Sequence, residues 1–262
     1  MVEFDERITL VEHLDELRRR IVYAAIALAL GVIVAAILND FVFALMLHPL
    51  KVLPAGAPHK IITFGPAEPF MVSLKVWVYV GIIAASPVLI YEFWAFIGPA
   101  FSPVSRRSVL LVVFTCVALF LFGVVFCYLI VLPRGLSWLF SFNSRYFTAQ
   151  ARATDYFSFV AWFLVAFGAV FEAPVVIIAA VRMRIVSTAY LRKHWRYAIV
   201  INAVIAMVAT PSQDAFSFIA MFIPLEILYE ASLLVARVIE RRRPAAQGAT
   251  ADDDQGPTTA PA

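Results

Sequence analysis

The residues best placed to do chemistry lie in the stretch Thr9-Leu-Val-Glu-His-Leu-Asp-Glu-Leu-Arg-Arg-Arg20, where three carboxylates (Glu12, Asp15, Glu16) precede three guanidinium groups. Thr9 and Glu12 have the spacing of a capping box, in which each side chain serves the other's backbone N–H, so a helix is expected to start here. Val11, Leu14, Leu17 and Ile21 then fall on one stripe and give an amphipathic lead-in at a membrane surface. The acids take the polar side. Pairing with Arg18, Arg19 and Arg20 at i+3 and i+4 would stabilise the helix by about 0.2–0.5 kcal/mol per pair. The same placement equally presents a carboxylate to a basic ligand, and the residue types alone leave both roles open.

The second chemical position is Glu172, beside Pro174 within an apolar run. A charge at mid-membrane costs roughly 2.5–3.5 kcal/mol on insertion scales, so this carboxyl must face protein or water, or be neutral. On the residues alone, it bonds the backbone freed by Pro174. Lys75, near the end of another run, can snorkel. His13, His48, His59 and His194 are too scattered for a metal cluster, and Cys116 and Cys127 share one apolar run without disulfide or metal spacing, which reads as core- or lipid-facing filling. There is no G-x-x-x-x-G-K-[ST] phosphate loop, Ser/His/Asp set or His-x-x-Glu-His motif. The expectation is a protein that is not an enzyme and carries no cofactor.

These positions must be held by membrane helices. Hydrophobic residues make up 63% of the 262-residue chain and charged residues 15%, with a mean hydropathy of +0.87. One soluble core of this size could not hide that much apolar surface. A crossing needs about 20 apolar residues, and six runs are candidates: about 21–38, 69–97, 108–132, 156–181, 197–209 and 215–236, the last two short or interrupted. Pro87, Pro174 and Pro224 fall inside the second, fourth and sixth and favour kinks. The expected fold class is therefore an all-α polytopic membrane protein of six kinked helices forming a concave wall, as one domain over residues 1–238, with a disordered tail over 239–262 rich in Ala, Asp, Gln, Pro and Thr.

Orientation follows from the basic residues between runs. With the N-terminus inside, fifteen Lys and Arg fall in inner segments and five in outer ones, which predicts an N-in, C-in topology. Their placement in short blocks between apolar runs suits membrane orientation and not nucleic-acid binding. Glu3, Asp5 and Glu6 stand where a cleavable signal peptide would be cationic, so the first run is expected to stay attached. Segments 39–68 and 133–155 would cap the outer side. No internal repeat is evident, which weighs against an inverted-repeat transporter.

Four ordered motifs carry a family resemblance. His13-Leu14-Asp15-Glu16-Leu17-Arg18 resembles the H-L-x-E-L-R motif of TatC, the polytopic subunit of the twin-arginine translocase. Ser86-Pro87-Val88-Leu89-Ile90-Tyr91-Glu92-Phe93-Trp94-Ala95-Phe96-Ile97-Gly98-Pro99-Ala100 is similar to its S-P-x-x-x-Y-Q-x-W-x-F-x-x-P-x-L segment. Phe167-Gly168 with Phe171-Glu172-Ala173-Pro174 resembles F-G-x-x-F-E-x-P, and Ala209-Thr210-Pro211 with Asp214 resembles a T-P-x-D turn.

The resemblance implies a receptor for signal peptides bearing consecutive arginines, embedded in a bacterial-type cytoplasmic (inner) membrane and driven by the proton gradient. It implies a homo-oligomer within a hetero-oligomeric complex, with single-span TatA/TatB-like partners in the bilayer. Glu16 matches the family's binding glutamate, and an arginine side chain calls for such a carboxylate in bidentate geometry. Leu14, Asp15, Arg18, Phe96, Ser105 and Arg106 would complete the peptide surface; Glu172, Pro174, Thr210 and Asp214 would form an intramembrane polar or partner-contacting set; Pro49, Phe70 and Pro87 would be structural. Two positions depart from the pattern. Ser105 stands before Arg106 and Arg107 where relatives commonly carry glutamate, so Asp15, Glu12 or Glu92 must supply a second charge or recognition is looser. Phe218 replaces a frequent glutamine in the sixth run. The rival function is a proton-coupled solute transporter titrating Glu172, Lys75 or Glu226.

Overall fold

The computed structural model describes residues 10–51, 53, 61–97, 106–146, 150–183, 185–211 and 214–241. Ser105, His59 and the chain beyond Arg241 lie outside them. Ten helices occur among the described residues: α1 (Leu10–Ile37), α2 (Asn39–Lys51), α3 (Glu68–Ile97), α4 (Arg106–Phe126), α5 (Leu132–Ser141), α6 (Ala153–Val170), α7 (Ala173–Arg182), α8 (Thr188–Lys193), α9 (Trp195–Ala209) and α10 (Ala215–Arg241). Joining α4 to α5 is a π-helical turn, Cys127–Val131. Five helical stretches are long and apolar enough to cross a membrane: Leu14–Ile37, Glu68–Phe96, Leu110–Ser141, Ala153–Arg182 and Ala215–Glu240. The apolar α9 is shorter, at 15 residues, or about 22 Å of rise.

Close packing is set by glycines. A Cβ added at Gly31 of α1 would lie 2.6 Å from the Gly81 carbonyl oxygen of α3, and one added at Gly81 would lie 2.8 Å from the Val32 backbone nitrogen. Backbones meet there because neither residue has a side chain, the device by which membrane helices gain dispersion contact without a hydrophobic driving force. A second crossing joins α4 to α6, where a Cβ at Gly123 would meet the Phe167 carbonyl at 2.7 Å and one at Gly168 would meet the Phe120 ring at the same distance. The stretch α6–α7 is the most buried of the five and α1 the least. Phe163 and Phe167, fully buried on α6, meet edge to face at 5.0 Å and anchor the core, which also takes in Val42, Met46 and Leu50 from α2.

Each helix-borne proline leaves a carbonyl four residues earlier without its N–H partner. Pro87 orphans Ile83, whose oxygen is taken by the buried Ser86 hydroxyl at 2.8 Å. Pro49, buried in α2, orphans Leu45, and the Tyr128 hydroxyl donates to that oxygen at 2.9 Å while Tyr156 donates to the Met46 carbonyl at 2.7 Å. Pro133 follows the π turn, in which the Leu132 N–H reaches back to the Cys127 carbonyl. Phe70, by contrast, is 60% exposed on the first turn of α3.

Several expected boundaries move. The third run does not stop near Leu132, because Pro133 sits in the first turn of α5, where its missing N–H costs nothing and the helix continues to Ser141. The fourth is not a kinked rod: it breaks at Phe171–Glu172, and Pro174 opens α7 as a helix-starting residue. The sixth run continues past Ala236 to Arg241, into the first residues of the expected tail. Segments 39–68 and 133–155, expected as caps, hold α2 and α5 and meet in a parallel two-residue bridge, Ile61↔Ala151 and Ile62↔Arg152 (β1, Ile61–Ile62; β2, Ala151–Arg152). Strands this short carry no alternation to read.

Candidate functional site

α1 begins at Leu10, directly after Thr9, and carries the acidic and basic residues in one continuous helix. Within it Glu16 and Arg20 are one turn apart. Arg20 donates to Glu16 Oε1 from Nε at 3.0 Å and from Nη2 at 2.5 Å, and its Nη1 donates to Glu92 Oε2 of α3 at 3.0 Å. The side chains are partly shielded, with exposures of 28% for Glu16, 19% for Arg20 and 13% for Glu92. Of the intrahelical pairs anticipated, this one forms and is extended to a second carboxylate on another helix. Such charge-assisted bonds are shorter and stronger than neutral ones, and the planar guanidinium can serve both acids at once. Formally the cluster keeps one negative charge.

Leu14 is 62% exposed, and Asp15, Arg18 and Arg19 are exposed beside it, Arg19 lying over the Tyr23 ring at 5.9 Å. Phe96 is half-buried near the end of α3, four residues beyond Glu92. Arg106 is the first residue of α4. The structure thus brings Glu92 to Glu16, which spacing alone could not do across 76 positions of chain.

Glu172 occupies the turn between α6 and α7. Its backbone carbonyl accepts from Val175 at 3.0 Å and Val176 at 3.2 Å, which starts α7 across Pro174. Its side chain does not satisfy freed backbone: Oε1 is buried without a hydrogen-bond partner, while the Cys116 thiol, itself in reach of the Trp94 indole, contacts the carboxyl. The carboxyl borders a cavity of about 1120 Å³ walled by Trp162, Val176, Tyr190, Asn202 and Tyr229. Asn202 of α9 donates to Glu226 of α10 at 3.2 Å, so that second intramembrane acid is held between helices.

Thr210 and Asp214 do not join Glu172. Thr210 ends α9 with its hydroxyl on the Met207 carbonyl at 3.2 Å, and Asp214 Oδ1 accepts from the Ser217 N–H at 2.8 Å as the N-cap of α10. Sequence reading missed Glu68, which accepts from the Phe64 N–H at 2.7 Å, from Arg152 Nε at 2.9 Å and from the Thr154 hydroxyl at 2.6 Å, clasping the β1–β2 bridge. Its position immediately before Pro69 was the available signal, since Glu-Pro suits a helix's first turn. Trp77 and Trp162 donate to Asn39 Oδ1 at 3.1 Å and to the Ala209 carbonyl at 2.8 Å, tying helices together.

Glycine-crossed apolar helices, with the carbonyls orphaned by Pro49 and Pro87 taken by Tyr128 and Ser86 and a guanidinium–carboxylate cluster joining α1 to α3, define a multi-pass α-helical membrane protein. The family model described as TatC, Sec-independent protein translocase protein, matches residues 12–224. Among relatives, the Sec-independent protein translocase protein TatC of Desulforapulum autotrophicum is 38% identical over 239 residues, covering 91% of this chain and 88% of that one. That of Carboxydothermus hydrogenoformans is 33% identical over 236 residues, covering 90% and 96%. The crystal structure of the twin arginine translocase receptor TatC in DDM superposes with a TM-score of 0.77 at 34% identity, covering 86% of this chain and 99% of that one. The chain belongs to the TatC family of Sec-independent protein translocase components.

Proposed function

We propose that this chain is the signal-peptide receptor and core scaffold of a twin-arginine translocase in the cytoplasmic membrane, and that Glu16 accepts one guanidinium of the signal. The observation that carries this reading is that the Glu16 carboxylate already accepts two N–H donors of a guanidinium, at 2.5 and 3.0 Å, on a partly shielded helix face. In this reading the chain crosses six times, N-in and C-in, with α9 as the short crossing behind longer neighbours. The Glu16 end of α1 then faces the cytoplasm. Leu14, Asp15, Arg18 and Phe96 line the approach of the peptide, and Ser105 and Arg106 are assigned to the same surface by family resemblance.

Glu172 and Pro174 supply the polar patch for single-span TatA/TatB-like partners, with Thr210 and Asp214 serving it indirectly by capping α9 and α10. The chain acts as a homo-oligomer within that larger complex and performs no covalent chemistry. The test is Glu16→Ala in cells lacking their own TatC, scored by signal-peptide crosslinking and by export of a twin-arginine reporter and its Lys-Lys counterpart. Loss of crosslinking and of twin-arginine export is expected, while the unmodified chain exports only the twin-arginine reporter. Unchanged crosslinking and export in Glu16→Ala would overturn the reading.

A further inference from the structure

The Glu16–Arg20–Glu92 cluster has the composition of a filled binding site. Its two carboxylates come from different helices, and one guanidinium spans them through three donors, Nε and Nη2 on Glu16 and Nη1 on Glu92. The α1–α3 pair does not depend on this bridge, because the Gly31–Gly81 crossing already brings the backbones into contact. The Arg20 side chain itself keeps 19% exposure, which leaves its guanidinium a way out to the surface. With one cation against two anions, the cluster itself holds one uncompensated negative charge, and the exposed Asp15, Arg18 and Arg19 beside it add one negative and two positive charges.

We propose that Glu92 is the second acid of the signal-arginine site, and that Arg20 is a resident stand-in for the ligand, displaced when an arginine of the incoming peptide takes its place between Glu16 and Glu92. This rests on the receptor reading given above and specifies its chemistry. The exchange replaces one set of guanidinium–carboxylate bonds with an equivalent set, so the partly shielded acids end loading paired as they began it. The second peptide guanidinium meets the remaining negative charge. A lysine pair fails on geometry: an ammonium is a point charge and cannot reproduce the fork that reaches both acids. Arg20 therefore also acts as a filter, since any ligand must outcompete it and weak cations do not.

The test uses the full chain in lipid nanodiscs, with a fluorescent twin-arginine signal peptide and its Lys-Lys counterpart as probes. Glu92→Gln, close in shape but uncharged, is expected to weaken twin-arginine binding about tenfold, as for loss of one charge-assisted contact. Arg20→Gln empties the site and is expected to tighten twin-arginine binding by roughly tenfold and to admit the Lys-Lys peptide measurably. Arg20→Lys keeps the charge but not the fork; it serves if Arg20→Gln fails to assemble, and should bind the twin-arginine peptide more tightly than the unmodified chain. Glu92→Gln with unchanged affinity, or Arg20→Gln and Arg20→Lys no tighter than the unmodified chain, would sink the proposal. Glu16→Gln separates the two levels: if it weakens binding while Glu92→Gln does not, only the role of Glu92 falls. If Glu16→Gln binds normally, the receptor reading falls with it.

Discussion

Replacing Gly31 by alanine tests whether the α1–α3 crossing holds the site's two acids in register. The added methyl carbon would stand 2.6 Å from the Gly81 oxygen and 3.2 Å from its Cα. Ordinary contact begins near 3.4 Å, and the obstructing atoms are backbone, so no rotamer relieves them. The helices must part by roughly 0.8 Å, an overpacking cost of about 1–3 kcal/mol. Eleven residues separate Arg20 from Gly31 and eleven separate Gly81 from Glu92, about 16 Å along each helix. A displacement of that size at the crossing is enough to stretch the 3.0 Å Arg20–Glu92 bond beyond hydrogen-bonding range. The assay is thermal unfolding in detergent of Gly31→Ala beside Gly65→Ala, since a Cβ at Gly65 meets nothing within 4 Å. Gly31→Ala should be clearly the less stable. Equal melting of the two variants would refute the reasoning, and so would a Gly31→Ala protein in which an Arg20/Glu92 double-mutant cycle still returns the full coupling.

Tyr156→Phe removes the buried donor to the Met46 carbonyl while keeping the ring, and should cost about 0.5–1.5 kcal/mol by denaturant or thermal unfolding. Asp214→Ala removes the α10 N-cap and should cost about 0.5–2 kcal/mol, with Asp214→Asn close to neutral. Glu68→Ala strips the clasp of its acceptor for Phe64, Arg152 and Thr154, whereas Arg152→Ala removes one of several donors; limited proteolysis of the segments flanking β1 and β2 should therefore proceed faster in Glu68→Ala. Glu172→Leu deletes a buried oxygen that has no hydrogen-bond partner, so it should leave stability equal or raised while export falls. Normal export in that variant would remove Glu172 from the functional patch.

What the residues announced in advance was local. Glu16 and the arginines after it stand on one helix, and their i, i+4 spacing is enough to foretell the Glu16–Arg20 pair. Glu92 was legible as one of several acids that could assist Glu16, but its selection depends on α3 running back against α1, a fact stored in Gly31 and Gly81 and not in any charge. The prolines were legible as disturbances, yet their outcomes differed with context. Pro87 sits in a continuous helix whose lost bond Ser86 covers, while Pro174 begins a new helix after a break. A proline fixes its own φ and removes one donor; the substitute comes from next door for Ile83, where Ser86 supplies it, and from far along the chain for Leu45, where Tyr128 does. The β1–β2 bridge and the Glu68 clasp had no periodic signature, because two-residue strands and a single carboxylate have no period.

The β1–β2 bridge also sets a clock. Ile61 and Ala151 are ninety positions apart, and in a chain made from its N-terminus the second partner emerges only after α3, α4 and α5 have been synthesised. Contacts of such long sequence separation close late, after their loop entropy has been offset by nearer ones. The α1–α3 crossing comes first, the bridge and its Glu68 latch much later. Until they close, Ile61 and Ile62 await their strand partners, so their unpaired backbone groups are open to mispairing with another copy.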